Sequence, residues 1–187
     1  MRILTFARNG PAAAAELAGL RAIGHLQAGR PYAELPVVEM AAVAANEKIS
    51  EQQRVTMDYY CYLHELGTEN VAEATRLYAS VMNRLEVFSS ASHGNFYLEQ
   101  ALFFAKYLND LPAAEAALEQ VTKSPLTDAL SVHLANAAIA ELKGDTTALA
   151  AELPGIEKSL VKSIDQSRVP TIRTWLSEWK DAASTEA

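Results

Sequence analysis

The chain has 187 residues, 50% of them hydrophobic and 21% charged, with a net charge of −7 and one cysteine. That length suits one domain whose core needs no covalent staple, and a lone Cys61 excludes an intramolecular disulfide and a cysteine metal cluster, which points to a reducing compartment. The charge is uneven: residues 1–30 carry +3, residues 31–157 carry −11 and residues 158–187 carry +1; an acidic body repels phosphate backbones, which excludes nucleic acid as the partner.

Alanine supplies 34 residues against 8 Gly and 7 Pro, and Gly and Pro fall mostly between periodic stretches, so an all-α chain is predicted. No apolar run approaches the roughly 18–20 residues of a membrane span, and Met1–Phe6 is too short for the apolar part of a signal peptide. The expected place is the cytoplasm, without membrane insertion. The abrupt start MRILTFARNG is compatible with the cut edge of a longer protein.

In chain order, a first helix is expected from Pro11 to Ala28, capped by Asn9, with Ala13, Ala14, Leu17, Leu20, Ile23 and Leu26 as its apolar positions. A second runs from Pro31 to Ala45, with a small kink at Pro36. A third opens on a capping box between Ser50 and Gln53 and ends at Leu66 before Gly67. A fourth starts at Asn70, with Ala74, Leu77, Tyr78, Val81, Met82 and Leu85 on one face. Residues 89–95 (SSASHGN) read as a loop.

The fifth helix, Asn95 to Leu108, is apolar nearly all round and so belongs between neighbours. A sixth spans Leu111 to Val121, capped by Asp110, with Pro112 in its first turn. A seventh spans Thr127 to Leu142. An eighth begins at Thr146, breaks at Pro154-Gly155, and resumes from Ile156 to Ile164. The last, Pro170 to Lys180, places Ile172, Trp175, Leu176 and Trp179 on one face as a cap. Residues 1–9 and 182–187 are expected to fray.

The segments GRPYAEL, TENVAEA, NDLPAAEA and GDTTALA each end one helix and open another. With Glu34, Ala74, Ala114 and Leu149 as equivalent points, their spacings are 40, 40 and 35 residues. A period in that range marks helical hairpins stacked in series, each too small to bury its own apolar side.

At these junctions the chain resembles a degenerate tetratricopeptide-type repeat. NDLPAAEAALEQVTKSP carries the likeness best, with Asp110 at the turn, Ala114 at the small position, Leu118 and Val121 behind it and Pro125 closing; GTENVAEATRLYASVM follows with Ala74, Tyr78 and Val81. The other two junctions place Leu149 and Glu34 (or Ala33) there, and the spacing of 40 exceeds the family's 34. The resemblance implies a right-handed α-α superhelix (solenoid) of about four hairpins plus a C-terminal capping helix, forming a single domain over 1–187. It also implies a concave groove that binds a segment of another protein, with Tyr59, Glu99, Phe103, Lys106 and Tyr107 as the groove residues. A carboxylate clamp of the kind some members use would have only Lys106 and Asn136.

Catalytic chemistry finds little support. His64-Glu65-Leu66-Gly67-Thr68 begins like the zinc motif H-E-x-x-H, but position 68 is threonine and the second ligand is missing. His25, His93 and His133 lie on separate elements. No nucleophile elbow or phosphate-cradling glycine loop is present. Cys61 reads as a small buried hydrophobe. Consecutive helix positions point about 100° apart, so Tyr59, Tyr60 and Tyr62 cannot all be buried against one neighbour and at least one should reach the groove or the surface. Trp175 and Trp179 read as core, and Lys158, Lys162, Arg168 and Arg173 as a solvated face.

The expected function is therefore a non-catalytic protein–protein interaction module or scaffold, with no metal and no cofactor. The partner is another protein or peptide segment, with homodimerisation as the second option. An alternative role is a cytosolic regulatory tail, since the Ala/Leu/Gly-Arg-Pro texture is similar to the helical ends of certain bacterial membrane-embedded zinc peptidases. A small helical enzyme is the remaining alternative.

Overall fold

The computed structural model describes residues 10–121 and 127–184, and among these it contains nine α-helices and no strand. They are α1 (Gly10–Gln27), α2 (Val37–Ala44), α3 (Glu51–Gly67), α4 (Val71–Met82), α5 (Ser90–Phe103), α6 (Leu111–Val121), α7 (Ala129–Lys143), α8 (Thr146–Leu160) and α9 (Val169–Ser184). None is long and apolar enough to cross a membrane among the described residues.

Four reversals join consecutive helices, and they share one backbone device. Gly29, Glu69, Asn109 and Gly144 each take a left-handed φ, of 68°, 59°, 53° and 66°. In three cases the next N–H reaches back five residues, as in Arg30 to His25, Asn70 to Glu65 and Asp145 to Ala140, a helix stop that satisfies an orphan carbonyl. At the last three junctions the following residue then caps the next helix. Asn70, Asp110 and Asp145 accept from the N–H of Glu73, Ala113 and Ala148 at 3.5, 3.0 and 2.9 Å. The 40, 40 and 35 spacing is the spacing of these turns. Ala74, Ala114 and Leu149 are buried behind them.

The equivalence fails at the first junction. Glu34 and Ala33 are exposed in a single 3₁₀ turn over Tyr32–Glu34, and Leu35 is buried in their place. Pro36 does not kink a longer helix; it stands just before α2, where its missing N–H has no helical partner to lose.

Packing divides the chain into two compact units, one running to Val87 with the strap Ile164–Arg168, the other comprising Phe88–Ser163 and Val169 onward. In the first, α3 is the central helix, flanked by α2 and α4. Its core includes Met40, Val55, Met57, Tyr62, Leu63, Tyr78 and Val81, with Tyr62 and Tyr78 in ring contact at 4.6 Å. α1 turns Ala15, Ala18, Ala22 and His25 inward, whereas Leu17, Leu20 and Ile23, expected to be core, are 39–56% exposed. Alanine allows the closer approach to α3, as at Gly19, where a Cβ would stand 3.7 Å from Met57. Gly67 is required where the 3₁₀ turn crosses α3: a Cβ there would meet the Ala33 nitrogen at 2.4 Å.

The strap closes the first unit. The Tyr32 hydroxyl donates to Asp165, the Gln166 N–H donates to the Leu26 carbonyl at 3.0 Å, and Asp165 caps Ser167 and Arg168. Burial holds the Asp165 carboxyl above its usual range, and burial likewise raises the Tyr32 hydroxyl.

In the second unit one core joins α5, α6, α7, α8 and α9, including Leu98, Leu102, Ala114, Leu134, Ala138, Ile156, Ile172 and Trp179. Residues 89–95 are not a loop: Ser89 precedes α5, Ser92 and His93 bond back to the carbonyls of Ser89 and Phe88, and Phe88 stacks on Phe96 at 4.9 Å. α8 also runs unbroken through Pro154, which faces solvent, and Gly155 leaves room for the His133 ring, which a Cβ would meet at 2.4 Å. α9 buries Ile172, Trp175, Leu176 and Trp179 and extends to Ser184, four residues past the expected end. Asn9, Pro125 and residues 185–187 lie outside the described residues.

Candidate functional site: a cleft between α2 and α4

α2 and α4 both lie along α3 and scarcely touch each other. Between them a cleft of about 380 Å³ opens over α3. Its composition follows from three helical stripes. α2 contributes Val37, Ala41 and Ala44, and the following residue adds Ala45, side chains too short to reach across to α4. α3 contributes Asp58, Cys61 and Glu65, spaced three and four apart on one face. α4 contributes Glu73, Arg76 and Leu77. The stripe from Asp58 to Glu65 is about 10 Å long, the span of roughly three residues of extended chain.

One wall is thus apolar, the floor is Cys61 and Leu77, and charges line the α3 and α4 sides. Two of the three carboxylates are matched by guanidinium groups. Asp58 accepts from Arg84, and Glu73 binds Arg76 through two bonds of 2.8 and 2.5 Å, which hold its carboxyl below the usual range. Glu65 has a neutral partner: its Oε2 accepts from the Asn70 side-chain amide at 2.7 Å. The Cys61 thiol is pushed up to about 12, first by burial and then by the charges of Asp58, Glu65 and Glu73. It is a neutral thiol and a poor nucleophile.

The five groove residues expected from sequence are divided between the two compact units. Tyr59 is half-buried in the first unit, with its ring 6.2 Å from Tyr60 and 5.7 Å from Tyr62. The other four belong to the second unit. Glu99 and Phe103 are buried, 8% and 2% exposed, and so turn inward rather than line an open groove. Lys106 is held by Glu141 at 2.8 Å and lies over the Trp175 and Trp179 rings, 5.4 and 5.2 Å from their centroids; Tyr107 stacks on Phe103 and meets Trp175 edge-on. The cause is a π-helical turn over Phe104–Leu108 that ends α5. It adds one residue per turn, so Lys106 and Tyr107 rotate toward α9 instead of continuing the α5 stripe.

Asn136 also has a local task. With His133, whose Nδ1 lies 2.6 Å from Glu152, it binds the Glu152 carboxylate and joins α7 to α8. Among the described residues, no group of three His, Cys, Asp or Glu side chains is arranged to hold a metal ion. The cleft residues went unread in the sequence, although Asp58, Cys61 and Glu65 recur on one face of α3 at spacings of three and four. No protein-family model, no curated protein and no solved structure matches the chain.

Proposed function

We propose that the chain is a non-catalytic docking module that receives a short segment of another protein in the cleft between α2 and α4. The observation carrying this reading is the cleft itself: three helices present matched stripes to an open space about three residues long, with an apolar wall and a polar rim. Such a mixture suits a peptide, whose side chains fill the apolar side while charged rims fix its register. The proposal includes kinship with the tetratricopeptide-like right-handed repeats. Its support is the left-handed stop that recurs at residues 29, 69, 109 and 144, with the same helix cap at three of the four.

Selection from a displayed library of random ten-residue peptides tests the reading, run in parallel on the chain and on Ala41→Trp. Ala41 is an exposed wall residue, so a tryptophan there fills the cleft while helical circular dichroism and the thermal midpoint verify the fold. Peptides enriched on the native chain and absent from the filled variant are the expected outcome. Equal enrichment on both, or none on the native chain, removes the proposal.

A further inference from the structure

The charge bookkeeping of the cleft singles out one residue. Asp58 and Glu73 each face a guanidinium, whereas Glu65 faces the neutral Asn70 amide and keeps Oε1 open to a further donor among the described residues. The two arginines do not cancel the field at the floor, since Asp58, Glu65 and Glu73 still act together to raise the Cys61 thiol. The end of α3 that carries Glu65 lies beside the turn that leads into α2, since Gly67 packs against Ala33, so the apolar α2 residues nearest Glu65 are Val37 and then Ala41.

We propose that the occupant of the cleft is a segment presenting a lysine side chain, with its four-carbon stem against Val37 and Ala41 and its ammonium on Glu65. Charge complementarity selects a cation. Geometry selects an ammonium over a guanidinium: Asn70 already takes one Glu65 oxygen, which denies a guanidinium its two-pronged match, while a compact ammonium needs only the other. Long cationic side chains habitually lay their stems on apolar surface and keep the head group at a polar edge. The inference rests on the docking reading above and names its ligand.

Three peptides test it: acetyl-Ala-Ala-Xaa-Ala-Ala-amide with Xaa as lysine, norleucine or arginine, titrated into ¹⁵N-labelled protein. Norleucine keeps the stem and lacks the charge. The lysine peptide should shift the backbone amides of Cys61, Glu65 and Glu73 and bind about tenfold more tightly than norleucine at low salt. Glu65→Gln, which preserves shape, should erase that difference, and salt should weaken the lysine peptide while leaving the norleucine peptide unchanged. Equal binding of lysine and norleucine in the cleft overturns the lysine assignment and leaves a docking cleft for apolar segments. Arginine binding more tightly than lysine overturns the choice of ammonium. Library peptides that depend on the cleft but lack lysine overturn the inference without touching the docking proposal.

Discussion

Glu69 and Asn109 are the described non-glycine residues with positive φ, and they stand where Gly29 and Gly144 stand at the other two reversals. Asparagine tolerates that conformation, but a glutamate there costs about 1 kcal/mol relative to a residue without a Cβ. Glu69→Gly should therefore raise the denaturant midpoint by about 1 kcal/mol of stability; an unchanged or lower midpoint would mean that the turn is not strained there. Asp165 gives a pH test. Its carboxyl is raised by burial, so its contribution to stability is fully present below its usual value near 3.8 and is lost as pH rises through the higher folded value. Denaturant unfolding of the wild type minus Asp165→Asn should give a difference that falls as pH climbs from 3 toward 7, whereas a flat difference would contradict the burial of this carboxyl. Cys61, with its thiol near 12, should resist alkylation at pH 8 in the native state and react only on unfolding.

Helices were legible where periodicity and caps agreed. α6 has the bounds that Asp110 and Pro112 predict, and α4 buries Ala74, Leu77, Tyr78 and Val81 as its spacing requires. Reading failed where tertiary packing outweighed size. On α1 the larger Leu17, Leu20 and Ile23 look like the inner face, yet close approach to α3 favours the alanine stripe. It failed again at Pro154, because a proline on the solvent side of a packed helix is held by its neighbours despite one lost hydrogen bond. The cleft was harder still. It exists because α2 is short and lined with alanine, a deficit of volume that shows only once α4 is in place. The neighbours of Lys106 and Tyr107 were not legible because the π-helical turn shifts register without any sequence mark. The small position on α6 bears on packing directly: Ala114 is fully buried where α6 packs on α5. Ala114→Trp should overpack it and cost about 1–3 kcal/mol or more, read as a lower thermal midpoint. No change would place the α5–α6 contact elsewhere.

At the scale of the whole chain, neither compact unit is a continuous stretch of sequence. The path leaves the second unit after Ser163, gives Ile164–Arg168 to the first, and returns for α9. Truncation after Ser163 should therefore damage both at once. The second unit loses Trp175 and Trp179, and the first loses the Asp165 partner of Tyr32 and the Gln166 bond to Leu26. Hydrogen exchange should show lost protection at the end of α1 as well as in α7 and α8; full protection of α1 in the truncated protein would show the strap to be dispensable.

This interleaved path also has a meaning during synthesis. The first unit cannot finish folding when its own helices have left the ribosome, because its closing piece is made some eighty residues later. Until then Tyr32 lacks its acceptor, so a nascent chain has a long interval in which that corner stays open to solvent or to a chaperone.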